Sequence, residues 1–314
     1  MLYLTTRNKA DSYTAHRVLR SKSAPDGGQF LPMQIPVLTD VQLAAIEQMS
    51  FGEATVFTMN LFFGTQLTGW DVDFAIGRQV MNLASIGHRV NVAESWHNPV
   101  GSHAYMVQRL YALVVGEKIP KQIPNLWFYT CVDIAVLLGA YGMLCRREIY
   151  EFDVAIETGD LQTLLALRYV QKMGVPIQKI ILGSLDGDGL WEFFSYGDYP
   201  SNRKVLPSGM EALLWLELGS DEVTRYLQTT QKRGIYKLPA FQLEQIRRET
   251  FAAVVGDGRA ADVINSALLT GQYAMEPATA RAFGALQDYR AKFGENRNTL
   301  LLSRNMAEIR KNQK

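Results

Sequence analysis

The chain has 314 residues, 47% hydrophobic and 20% charged, and a formal net charge of +1. That profile belongs to a globular chain with one large or two ordinary cores, and its scattered Lys and Arg exclude a basic stripe for nucleic acid. Met1 to Arg7 lacks the apolar centre of a leader, no apolar run reads as long enough to span a bilayer, and Cys131 and Cys145 read as reduced thiols of a cytoplasmic protein.

In chain order, Asp26-Gly27-Gly28 is a turn, because glycine takes positive φ at little steric cost. Thr39 or Asp40 caps a helix over 41–49. Further helices are expected over 52–63 and over 71–85, where Val72, Phe74, Ala75, Val80 and Met81 share roughly one face. Strand and helix then alternate: strands at 88–93, 126–130, 150–156 and 177–182, helices at 105–115, 133–145 and 160–173. Such alternation predicts a mainly parallel sheet covered by helices. The last third is more helical, over 210–218, 220–232, 242–250, 259–269 and 279–292, with strands at 251–255 and 299–302 and a charged tail from 308. There is no internal repeat and no low-complexity linker.

Two stretches carry a resemblance. Thr5-Thr6-Arg7 followed by Asp26-Gly-Gly-Gln-Phe-Leu-Pro32 is similar in type and spacing to S-T-R and D-G-G-L-F-x-P. Glu94-Ser-Trp-His-Asn-Pro-Val-Gly-Ser-His-Ala-Tyr105 matches E-L-F-H-G-P-T-L-A-F-K-D at Glu94, His97 and Pro99. Both patterns are those of threonine synthases, which are fold-type II pyridoxal-phosphate (PLP) enzymes. The resemblance implies an α/β fold of that type, with an N-terminal helical domain over 1–86 and a shortened core over 87–314. The lysine that carries the cofactor falls at Ala104 and the aspartate after it at Tyr105, so no PLP is expected.

The other motifs of the family are altered in place. Thr130-Cys-Val-Asp-Ile-Ala135 stands where the family has T-S-G-D-T-G, a loop whose small residues let backbone amides wrap an anion; only Thr130 and Asp133 remain. Asp133 also reads as the N-cap of an apolar helix. Thr158-Gly-Asp-Leu-Gln162 stands for the phosphate loop S-G-N-F-G, keeping Gly159 but placing Asp160 where a carboxylate would repel phosphate. Gly183-Ser-Leu-Asp-Gly-Asp188 stands for A-T-N-x-N-D, keeping Asp188, with Ser184 in the same pocket. Ser303-Arg-Asn-Met-Ala-Glu308 stands for T-A-H-P-A-K, where Ser303 keeps the hydroxyl that faces the pyridine nitrogen. Only 27 residues separate Thr130 from Thr158, where the family has several α/β units.

The resemblance therefore implies an ancestral pocket of Glu94, Asn98, Ala104, Thr130, Gly159, Asp160, Ser184, Asp188 and Ser303. The leading expectation is a homologue without PLP catalysis, serving as a non-catalytic ligand-binding or partner protein. Its ligand would be small and amino-acid-like or phosphorylated, its partner another protein or a second copy. The alternative is a PLP-independent enzyme of altered chemistry. His97, His103, Cys131 and Asp133 are its candidate catalytic groups, since a histidine beside a carboxylate or thiol can move protons or activate a nucleophile. An active PLP lyase with a displaced lysine ranks last. Their spacing matches no standard metal motif, so no metal is expected.

Overall fold

The computed structural model describes residues 1–77, 81–159, 161–200, 209–233 and 235–305. A small antiparallel sheet opens the chain: β1 (Leu2–Thr5), β2 (Tyr13–Thr14) and β3 (Phe30–Pro32), in the order β2-β1-β3, with α1 (Ala15–Arg20) following β2. Then come α2 (Asp40–Gln48), α3 (Phe51–Phe63) and α4 (Gly69–Ile76). Their starts are legible chemistry. Thr39 and Gln42, Ser50 and Glu53, and Thr68 and Asp71 each form a reciprocal capping box that satisfies orphan amides.

The helix expected over 71–85 stops at Ile76, where Gly77 takes φ 76. Residues Asn82–Ser85 instead form β4, antiparallel to β5 (Val90–Glu94). After β5 come α5 (His103–Val115), α6 (Leu126–Cys145), β6 (Phe152–Glu157), α7 (Leu161–Lys172), β7 (Ile177–Ser184) and α8 (Leu190–Tyr196). The remainder is β8 (Asp198–Pro200), α9 (Met210–Leu218), α10 (Ser220–Arg233), β9 (Ile235–Lys237), α11 (Ala240–Glu249), β10 (Thr250–Val254), α12 (Asp257–Gly271), α13 (Pro277–Phe293) and β11 (Thr299–Ser303).

The main sheet runs β10-β7-β6-β11-β5-β4 and is parallel except for β4. One face packs on the larger core, which includes α3, α5, α6 and α7; the other packs on α12 and α13 through Val263, Ala282, Ala285 and Leu286. Parallel strands buried on both faces need continuous apolar runs, and Val90, Val92, Ile180, Ile181 and Leu182 supply them.

The largest departure from expectation is α6. The strand expected at 126–130 and the loop after it are one continuous helix of 20 residues. Asn125 starts it by accepting a hydrogen bond from the Trp127 amide at 2.7 Å. Cys131, Val132 and Asp133 therefore sit inside a helix, and Asp133 is no N-cap. By length and composition α6 is apolar enough to cross a membrane, contrary to the expectation that no run is; most of it is buried inside the fold.

Candidate functional site

Because β5, β11, β6 and β7 run parallel, their C-terminal ends share one edge, and loops there converge in α/β folds. A crevice of about 110 Å³ opens at this edge, lined by Glu157 at the end of β6, Thr163 on α7, Glu276 and Ala278 at the start of α13, and Leu302, Arg304 and Asn305 at the end of β11.

Beneath it lies a charged cluster. Asp133, 3% exposed, projects from mid-α6 and accepts from Arg304 Nη2 at 2.8 Å and from the Thr163 hydroxyl at 3.2 Å. Its other oxygen lies 3.2 Å from His103 Nε2. Arg304 also donates to the Thr163 hydroxyl. Burial pushes the Asp133 carboxyl up, but the Arg304 charge and the His103 hydrogen bond more than offset that and hold its pKa below 3.8. His103 Nδ1 lies 3.2 Å from Ser95 Oγ, completing a chain Ser95–His103–Asp133–Arg304. The chain's position is fixed by backbone: the His103 amide donates to Arg304 O at 3.0 Å and the Ser95 amide to Ser303 O at 3.0 Å.

Glu276 shows the opposite electrostatics. It stands at the N-cap position of α13, is 4% exposed, and accepts from the Arg304 amide at 2.7 Å and the Thr279 hydroxyl at 3.2 Å. Burial outweighs those bonds and raises its pKa above 4.5. A raised carboxyl favours the fold below pH 4.5, and that contribution is lost as pH rises through its folded pKa. Glu276→Gln keeps an acceptor and does not ionise. Its urea midpoint is expected to fall less than the parent's between pH 4.5 and 7; parallel midpoints would show that burial does not penalise this carboxylate.

The four catalytic candidates part company. His103 and Asp133 meet. His97 lies with Glu94 instead, Nε2 to Oε2 at 2.7 Å, and stacks on Trp96 with ring centroids 4.2 Å apart. Glu94 also accepts from Asn82 at 2.8 Å and Tyr273 at 2.9 Å, so it is a fully engaged buried anchor. Cys131 is buried in α6, and burial first, then the Asp133 charge, pushes its thiol well above the ordinary value. Such a thiol packs and does not attack.

Of the ancestral positions, Ala104 is in the first turn of α5 and Ser303 ends β11, its hydroxyl accepting from Trp96 Nε1 at 3.1 Å. Thr158 and Ser184 both donate to Asp188, each at 2.6 Å, and Asp188 accepts from the Leu190 amide at the start of α8. This is a turn-and-cap device at the C-terminal ends of β6 and β7. Thr130 donates within α6 and to Gln162 at 3.0 Å, Asn98 shapes the 98–102 turn, and Gly159 is exposed. Asp160, Met306 and Glu308 lie outside the described residues. Sequence reasoning missed Ser95, Thr163, Glu276 and Arg304. Ser95 and Arg304 stood inside quoted motifs, but at places where the pattern carries Leu and Ala and offers no polar group to compare.

Residues 2–78 match the family model described as "Threonine synthase N terminus". "Threonine synthase-like 2" of Homo sapiens is 31% identical over 106 residues, 31% of this chain and 22% of its own length. "Threonine synthase-like 1" of Homo sapiens is 27% identical over 144 residues, 41% of this chain and 19% of its own. The chain thus spans about a fifth of the length of the curated relatives it matches. Among solved structures, a PLP-bound threonine synthase from Brucella melitensis superposes with TM-score 0.82 at 17% identity, covering 98% of this chain and 89% of the other. Threonine synthase from yeast gives 0.81 at 14% identity, covering 98% and 88%. The resemblance read from the sequence is borne out, and the fold is that of the threonine synthases. The expectation of no cofactor does not stand, because a protein of this fold is PLP-bound. That expectation rested on Ala104 at the lysine position, beside the altered phosphate loop at 158–162. Losing one lysine removes an imine, not the hydrogen bonds and charges that also hold such a group.

Proposed function

We propose that this threonine synthase relative is a cytoplasmic ligand-binding or partner protein whose crevice takes a small amino-acid-like zwitterion, phosphorylated or not, without imine chemistry. The observation that carries the reading is the mixed charge of the crevice. Arg304 faces it beside Glu157 and Glu276, so a carboxylate or phosphate finds a guanidinium and an ammonium finds carboxylates. Arg304 is held in place by Asp133 and Thr163, and Glu157 by Arg281 at 2.5 Å, so the groups are set before a ligand arrives. About 110 Å³ suits a small molecule, well short of the ~300–1,000 Å³ of drug-sized pockets.

For PLP the crevice offers a guanidinium and a hydroxyl, but no lysine among its lining residues. These residues fit a phosphate held by non-covalent bonds and do not fit an imine. When bound as an imine, PLP supplies an electron sink for carbanions; this chain's residues orient and neutralise charge instead.

The test is calorimetry with O-phosphoserine, serine and PLP, followed by borohydride treatment and intact mass. Saturable binding of at least one of them, weakened about tenfold or more in Arg304→Gln, is expected, with no covalent adduct after reduction. A reduced adduct on one lysine overturns the reading in favour of PLP chemistry from a displaced lysine. Absence of binding by all three removes the zwitterion site.

A second reading, a PLP-independent enzyme, is favoured by the Ser95–His103–Asp133 chain, which has the bonding order of an activated hydroxyl. Turnover of these same ligands in the parent, lost in His103→Gln, supports it. Turnover in neither protein removes it.

A further inference from the structure

Away from the crevice, at the far edge of the main sheet, β10 pairs with β7 alone, so among the described residues one of its two hydrogen-bonding edges carries no strand. We propose that this edge is a docking groove for an extended, acidic peptide segment of a partner protein.

Three observations carry it. First, the edge is not blunted. Natural edge strands are protected by charge, proline, bulges or covering segments. The sequence Thr-Phe-Ala-Ala-Val of β10 has no charge and no proline, and its pairing with β7 is unbroken through five residues.

Second, the edge is the floor of a groove of about 980 Å³. Trp191 and Tyr196 on α8 wall one side, their ring centroids 5.3 Å apart. Tyr289 and Phe293 on α13 wall the other, Tyr289 tilted against Phe251 of β10 and Phe293 meeting it edge-on, with ring centroids 5.3 and 5.8 Å away. An added strand sends successive side chains to opposite faces, so each aromatic wall meets alternate residues of the guest.

Third, the groove is positive. Lys179, Arg247, Lys292 and Arg297 line it against Glu244 and Glu295. Arg297 is committed to Asp153 at 2.9 Å, and Lys179 to the carbonyls that end α11. Arg247 and Lys292 are exposed and make no ion pair among the described residues; one is on α11 and the other on α13, so acidic side chains on either face of a guest strand meet a cation. The same charges disfavour a second copy of the chain, which would bring like charge to like across the edge.

The probe is a short acetylated, fluorescein-labelled peptide of valine and glutamate, compared with the counterpart carrying lysine for glutamate. Fluorescence anisotropy gives affinity, and amide exchange of the full chain locates binding. The glutamate peptide is expected to bind at least tenfold tighter, to slow exchange over 250–254, and to lose about tenfold with Arg247→Glu plus Lys292→Glu at unchanged melting temperature. Equal binding of both peptides, binding that leaves 250–254 unprotected, or no binding at millimolar peptide overturns the assignment. Concentration-dependent self-association that protects 250–254 overturns it in favour of a second copy.

Discussion

Asp133→Ala is expected to cost about 3 kcal/mol of stability, read as a lowered urea midpoint at unchanged slope. Removing one member of a buried ion pair typically costs ~3–5 kcal/mol, because the other charge is left without a partner. The lower figure applies because the Arg304 side chain is 26% exposed and can turn partly to water, whereas Asp133 is 3% exposed. Thr163 and His103 lose an acceptor as well. Asp133→Asn, which keeps an acceptor and loses the charge, should fall between parent and alanine variant. A loss under ~1 kcal/mol would mean that Arg304 rehydrates freely and that this cluster does not anchor the end of β11.

The pH dependence separates this loss from simple loss of packing. The Asp133 pKa is lowered on folding, so its contribution is present above about pH 3.8 and is lost as pH falls through the folded value. Parent and Asp133→Asn should therefore converge in acid. Glu276, raised on folding, works in the opposite sense over the adjoining range. The two carboxyls lie on either side of Arg304, one bonded to its guanidinium and the other to its amide. Burial raises both; at Asp133 the Arg304 charge and His103 outweigh it, whereas at Glu276 the hydrogen bonds and the weaker pull of Arg304 do not.

The alternating half of the fold was legible because strand and helix each leave a period or a length. Residues 177–182 and 299–302 read as strands and are strands, and the helix starts at Thr39 and near residue 52 carry their own caps. The first turn of α6 was not legible. Leu126-Trp-Phe-Tyr-Thr130 is aromatic, short and largely buried, and a helix with almost no exposed face leaves no 3.6-residue signal to set against a strand. The error propagated into chemistry. Thr130–Ala135 matches a loop motif in sequence but is helix, so Cys131 belongs to the core and is no nucleophile. His103 and Asp133 lie 3.2 Å apart, Nε2 to Oδ1. The residues that join them to the crevice, Arg304 and Thr163, carry no local pattern and meet only through the sheet's topology.

The same buried helix sets the second large prediction, Gly142→Val, expected to destabilise by about 2 to 3 kcal/mol. A Cβ at position 142 would lie 2.6 Å from the Ile46 carbonyl and 3.1 Å from that of Met49, where α2 ends against α6. Both neighbours are backbone, so relief requires moving α2 as a unit. Arg146 opposes that movement, because its guanidinium donates to the Glu47 and Met49 carbonyls at 3.3 and 3.1 Å. Glycine in a helix interior is itself unfavourable by ~1 kcal/mol against alanine, so substitution recovers part of the loss. Valine recovers less than alanine and adds two methyl groups to the collision, so the steric term wins. Gly139→Ala is the internal control. Its Cβ would meet the Phe51 Cα and the flexible Met81 side chain at 3.2 Å, which a shift of a few tenths of an ångström absorbs. Thermal unfolding of the two variants should separate by several degrees, with Gly142→Val the lower. Equal melting temperatures would mean that α2 is loosely held and that the close approach at Gly142 does not fix how the N-terminal helices dock on the core.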